Sequence, residues 1–236
     1  MSTIFKKELS GYFNSAIAYI VIVVFLVLTG LWTWFLWSSI PVIGVVTMRP
    51  AFDIIPYTFL VLIPAITMRS FSEEKKTGTI ELLLTRPITD MEIILGKFLS
   101  ALALSIIAIL PTLLYVASLS LWFGKIDAGA IFGAYVGLIL LSAIFVGIGI
   151  FCSSITENQI VAFIISFLVI LFFILIKFAL VFLPASMASV FEYLSVNYHY
   201  ASISRGVIDS RDIIYYLSGI IILLLLTRTS LESRKW

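Results

Sequence analysis

Apolar residues in this chain come in long unbroken runs separated by short polar stretches. Residues 16–38, 97–122, 130–152 and 158–183 are almost wholly apolar. Each is long enough to cross a hydrocarbon core, which takes about 20 residues of helix. Two shorter runs, 52–69 and 212–228, complete a set of six. Within lipid a helix satisfies its backbone groups internally, so the expected fold is an all-α integral membrane protein with six transmembrane helices. Pro56 and Pro64 should bend the second span, and Pro111 the third. Gly133 with Gly137, and Ala143 with Gly147, are small-residue pairs that let helix backbones approach closely in the fourth.

The connecting stretches carry the local signals. Residues 2–15 set Phe5, Leu9, Tyr12 and Phe13 among Lys6, Lys7 and Glu8, the spacing of a helix lying in the membrane interface. Trp32, Trp34 and Trp37 form an aromatic belt at the end of the first span. Between Arg69 and Lys97 lie ten of the chain's 15 Lys and Arg and 13 Asp and Glu, so this stretch, centred on 70–96, must sit in water. Thr77, Gly78 and Thr79 are expected to start a short helix with Ile80, Leu83 and Leu84 on one face, and Pro87 to end it at Arg86. Thr89 to Glu92 has capping-box form, with Ile88 and Ile93 as its hydrophobic staple. A second box is expected at Thr156 to Gln159, stapled by Ile155 and Ile160. Residues 184–211 are polar and aromatic, rich in Tyr193, Tyr198, His199 and Tyr200, and read as surface helices outside the membrane. A polar tail, 229–236, follows the sixth span.

Composition agrees with a membrane protein: 61% of the residues are hydrophobic and 12% charged. A net charge of +2 is too balanced to argue for nucleic acid. The one cysteine, Cys152, excludes an intrachain disulfide. With both termini on one face, that face holds Lys6, Lys7, Arg69, Lys75, Lys76, Arg86, Lys97, Arg228, Arg234 and Lys235. The other holds only Arg49, Lys125, Arg205 and Arg211, so the termini and residues 70–96 are expected in the cytoplasm.

Catalytic and cofactor motifs are missing from the sequence. There is no HExxH, no GxSxG, and no phosphate loop, since Gly96-Lys97 is followed by Phe98. No cofactor is expected on this chain. Inside their end residues the apolar runs also lack the Asp, Glu and His groups of proton or sodium relays, and Lys177 is the one charge well inside a run. Snorkelling to the outer surface accounts for it, with a substrate or partner contact as the other reading. A polar docking element without a motor of its own implies a motor in another subunit.

The run Glu73-Glu74-Lys75-Lys76-Thr77-Gly78-Thr79-Ile80-Glu81-Leu82-Leu83-Leu84-Thr85-Arg86-Pro87, with Gly96-Lys97 at the next helix, resembles the signature of type-2 ABC exporter permeases. Ser204 to Asp209, Arg211-Asp212, Tyr215 and the end from Leu226 resemble the permease of the bacterial gliding-motility ABC complex. The resemblance implies an N-terminal elbow helix and a cytoplasmic coupling helix in a multi-pass protein of the bacterial inner membrane. It implies an ABC ATPase subunit dimer as partner, binding ATP and Mg, and a second permease copy or a related permease. Carried over by position, Glu74, Gly78, Thr79, Glu81, Leu83, Leu84, Arg86 and Pro87 would touch the ATPase. Thr156 and Glu157 would form a second contact. Tyr198, His199, Arg205 and Asp209 are the candidates for an extracytoplasmic protein partner.

The main reading is a permease subunit of an ATP-driven exporter. The alternative is a mechanical or scaffold subunit that passes an ATPase cycle to an outer partner without moving a solute. A stand-alone channel or carrier, and an inert anchor, complete the alternatives.

Overall fold

The computed structural model describes residues 1–36, 47–79, 89–124, 126–179, 184–207 and 209–233. The described residues are helical, with no strand. In order they form α1 (Ser2–Asn14), α2 (Ala16–Trp34), α3 (Arg49–Thr67), α4 (Ser72–Lys76) and α5 (Asp90–Ile109). A 3-10 turn at Leu110–Thr112 joins α5 to α6 (Leu113–Phe123). Then come α7 (Ala128–Ile155), α8 (Gln159–Ala179), α9 (Ala185–Leu194), α10 (Val196–Ile203) and α11 (Ser210–Glu232). Among the described residues, six helical stretches are long and apolar enough to cross a membrane: α2, α3 with α4, α5 with α6, α7, α8 and α11.

Several helices begin ahead of the apolar runs, because their caps lie in the polar flanks. Thr89 caps α5 in a full capping box, accepting from the Glu92 N–H while Glu92 accepts from the Thr89 N–H. Asp127 accepts from Gly129 and Ala130 at the start of α7, and Asp209 from Arg211 at the start of α11. The start of α8 corrects the expected box. Asn158, two residues after Thr156, accepts from the Ile160 N–H at 2.9 Å, and Thr156 instead holds the Asn158 N–H. Ile155 and Ile160 are both exposed, so no staple forms. The chain must reverse sharply between α7 and α8, and two successive side-chain-to-backbone turns over residues 156–160 accomplish this.

The central element is α7, mostly buried, which packs against α3, α5, α8, α10 and α11. Its glycines set how closely the neighbours come. A Cβ on Gly149 would lie 2.0 Å from Thr67 Oγ1 on α3. One on Gly133 would lie 2.4 Å from the Ile203 carbonyl at the end of α10, and Gly137 faces Tyr200. Gly147 faces Leu223 of α11. The small-residue pairs of the fourth span therefore serve packing within the chain.

Pro56 and Pro111 are accommodated in different ways. Helix α3 runs from Arg49 to Thr67 through Pro56 and Pro64. Pro56 has no N–H for the carbonyl of Phe52 four residues back, and the Tyr200 hydroxyl takes that place at 3.0 Å. Burial pushes the Tyr200 phenol well above its usual range, so it stays a donor. At Pro111 the helix tightens into the 3-10 turn, where the Thr112 hydroxyl donates to Ile109 O and also meets the Tyr135 hydroxyl at 2.8 Å.

Large apolar side chains stay exposed along α2 and along one stripe of α8, including Ile160, Ile164, Leu168 and Phe172. In water such faces would be untenable; in a bilayer they meet acyl chains. Trp37, the last residue of the expected belt, lies outside the described residues.

Candidate functional site

The polar connections at the end of the bundle that carries both termini fold into one cluster. Its centre is a break in the α3–α4 path at Met68–Phe71. A broken helix leaves backbone groups without partners, and neighbouring side chains supply them. Ser153, near the end of α7, does most of this. Its hydroxyl oxygen accepts from the Phe71 N–H at 3.0 Å and the Ser72 N–H at 3.1 Å, and donates to Met68 O at 3.0 Å. Ser72 Oγ also donates to Met68 O. The Tyr12 hydroxyl of α1 reaches Ile66 O at 3.3 Å. Beside them, Lys75 Nζ and the Ser230 hydroxyl of α11 both donate to the Ser154 carbonyl. Arg69 reaches Gln159 at 3.2 Å. Residues 69–76 and 153–159, expected as separate candidate contacts, thus form one surface.

An ion cluster ties the amino-terminal helix to this surface. Lys97 Nζ lies 2.8 Å from Glu74 Oε1 and 3.1 Å from Glu8 Oε1, with its side chain only 3% exposed. It also sits over the ring of Phe71, 5.2 Å from the centroid. The preceding residue explains how α1 comes so near. A Cβ on Gly96 would lie 2.7 Å from Ile4 Cγ2, so only glycine leaves room for the helix crossing. The Met1 amino group adds an exposed pair with Glu92 at 3.6 Å. The sequence motif marks Lys97 beside Gly96 but not as an ion centre, although it follows Ile93 and Ile94 at helical spacing on the buried side of α5.

The expected contact residues divide by where they face. Glu74 turns inward to Lys97 and is largely buried. Gly78 and Thr79 are exposed, next to exposed Glu73, Lys76 and Thr77. Thr77 closes α4, its N–H bonded to Glu73 O, Gly78 then takes the left-handed conformation at φ 68°, and Thr79 is helical again. Glutamate and lysine before it are good helix formers, so α4 is an additional short helix ahead of the threonines. Ile80, Glu81, Leu83, Leu84, Arg86, Pro87 and Ile88 lie outside the described residues. Glu157 is exposed and Thr156 half-buried at the rim of the same surface.

The four candidates at the opposite end do not form one patch. His199 is buried, 1% exposed. Its Nδ1 lies 2.6 Å from Asp212 Oδ1 and its Nε2 2.9 Å from Tyr193 O, so each ring nitrogen faces an oxygen acceptor. The ring stacks on Tyr215 at 3.9 Å and meets Tyr193, Tyr198 and Tyr216 edge-on. The Tyr215 and Tyr216 hydroxyls donate to the Leu194 and Val196 carbonyls. A histidine expected on the surface is therefore the buried core that holds α9 and α10 onto α11. Tyr198 is exposed beside it, Asp209 serves as a cap, and Arg205 faces a separate cavity. No group of three or more His, Cys, Asp or Glu among the described residues could hold a metal.

Residues 40–227 match a family model described as ABC-2 family transporter protein, a match that runs from ahead of α3 into the last turns of α11. No curated protein matches the chain.

Proposed function

This chain belongs to the ABC-2 family of transporter proteins, a multi-pass membrane family that normally works with an ABC ATPase, and we propose that it is the permease subunit of an ATP-driven exporter. The observation that carries this reading is the surface where residues 69–79 and 153–159 meet at the end with both termini. A partner pressing there would bear on α3, α7 and, through Lys97, on α1 and α5 together. ATP and Mg would be bound and consumed on that partner, and this chain would change shape in response.

In this reading the exposed side of residues 73–79, continued by Glu81, Leu83, Leu84, Arg86 and Pro87, is the coupling element, with Thr156 and Glu157 beside it. Helix α1 is the elbow at the inner membrane surface. The positive charge at this end supports a cytoplasmic location for both termini. The exposed apolar faces of α2 and α8 would meet lipid and a second permease.

The test is co-purification of the full chain from its native membrane, followed by ATPase and transport assays. Wild type should bring down an ATPase with a phosphate-binding loop. The double variant Leu83→Asp/Leu84→Asp should insert normally, lose the ATPase and lose transport. Recovery of the ATPase with unchanged transport in that variant sinks the assignment of the coupling element.

A further inference from the structure

A cavity of about 660 Å³ opens at the end of the bundle away from the termini, walled by the start of α3, the start of α7, the end of α8 and α10. It has the size of a small-molecule site, a range of about 300–1,000 Å³. Three cations from three separate elements line it: Arg49 of α3, Lys177 of α8 and Arg205 after α10. Two carboxylates oppose them. Asp127 is already committed to the first amides of α7. Asp53 is shared with Arg49 at 4.0 Å in an exposed pair.

Three of the neutral polar groups of the wall are committed as well. Asn197 donates to Ile174 O, the Ser204 hydroxyl to Ala201 O, and the Tyr200 hydroxyl to Phe52 O. Lys177 and Arg205 are exposed and have no ion-pair partner among the described residues. The three cations outnumber the two carboxylates around this hollow and two of them lie outside any such pair, so a further anion is attracted there. The guanidinium fork and the ammonium point charge together suit an anion with oxygens facing several directions, which a planar carboxylate lacks.

We propose that this cavity is a phosphate-binding site, with Lys177 and Arg205 as the principal ligands. Phe172, Leu175 and Phe178, close to Lys177 on α8, are exposed apolar side chains. The phosphate can thus come from the headgroup of a membrane amphiphile or from a soluble organic phosphate. This inference does not depend on ATP coupling, because the purified chain alone suffices to test it.

The full chain in uncharged detergent would be titrated with phosphatidic acid and, separately, with diacylglycerol, which has the same tails and no phosphate. Wild type should bind the first and not the second. Losing charged hydrogen bonds in Lys177→Gln/Arg205→Gln should weaken phosphatidic acid binding about tenfold or more. Lys177→Arg should retain it, and Lys6→Gln/Lys7→Gln at the far end should shift it less than about twofold, since screened charges that distant contribute little. Displacement of phosphatidic acid by glycerol 3-phosphate identifies a soluble phosphate as sufficient; persistence of the lipid against it identifies the headgroup in its membrane setting. Equal binding of diacylglycerol, or wild-type affinity in the double variant with unchanged gel-filtration elution, overturns the proposal.

Discussion

At the end that carries both termini, Lys97 reaches across 89 residues to Glu8 and across 23 to Glu74. At the opposite end, the helices are joined by phenols, an imidazole and backbone carbonyls around His199 and Tyr200. The difference is in what each junction tolerates. Glu8 and Glu74 keep 21% and 16% of their side-chain surface exposed, so another cation or water can compete for them. Tyr200 and Tyr216 donate from buried positions to carbonyls inside the bundle. The first junction can be re-partnered as long as a cation stays at its buried centre, whereas opening the second would strand buried donors and acceptors.

Substitutions can break this comparison in order of size. Lys97→Met should be the most damaging, because it strands two carboxylates at once; breaking a buried pair costs about 3–5 kcal/mol. Thermal unfolding in detergent should show it, and Glu8→Gln/Glu74→Gln in the same chain should restore part of the loss. If the double replacement restores nothing, the cluster is packing rather than charge. His199→Phe preserves the stack on Tyr215 but leaves Asp212 buried without its partner, at about 3 kcal/mol. Adding Asp212→Leu should recover most of that, and failure to do so would mean that the ring's contact with Tyr193 O dominates.

Ser153→Ala should cost about 1–3 kcal/mol, since three backbone groups lose one oxygen. Its effect should concentrate in residues 68–72, read by proteolysis at that turn while the far end stays protected. The smallest effect sharpens the comparison most. Tyr200→Phe should cost about 1 kcal/mol, the worth of one neutral hydrogen bond. In a Pro56→Ala background the same change should be nearly silent, because the alanine brings back an N–H for the Phe52 carbonyl. Equal costs in both backgrounds would show that the hydroxyl does not substitute for the missing amide.

The six spans were legible because lipid leaves one way to read a long apolar run, and Thr89 announces a helix start by local chemistry alone. The junctions were not legible, because they join residues far apart in sequence. Gly96-Lys97 stands out as a departure from a phosphate loop and as part of the permease-like signature, yet its pairing with Glu8 arises from a helix crossing. His199 among tyrosines looks interfacial by composition, and only the turn of α10 toward Asp212 buries it. Thr156 and Asn158 offer two competing caps within three residues, and tertiary closure between α7 and α8 selects the second. The stretch from Ile80 to Ile88 carries the strongest local amphipathic signal and lies outside the described residues, so its role rests on the proposed function.

The hydroxyl of Ser153 has an observable consequence. It covers the Phe71 and Ser72 amides, and an amide exchanges its proton for deuterium only when such a cover lifts. Two adjacent amides therefore act as a clock for how often the end of α7 parts from the turn. Their exchange rate in the resting chain, compared with the rate during ATP turnover by a partner, would count those partings directly.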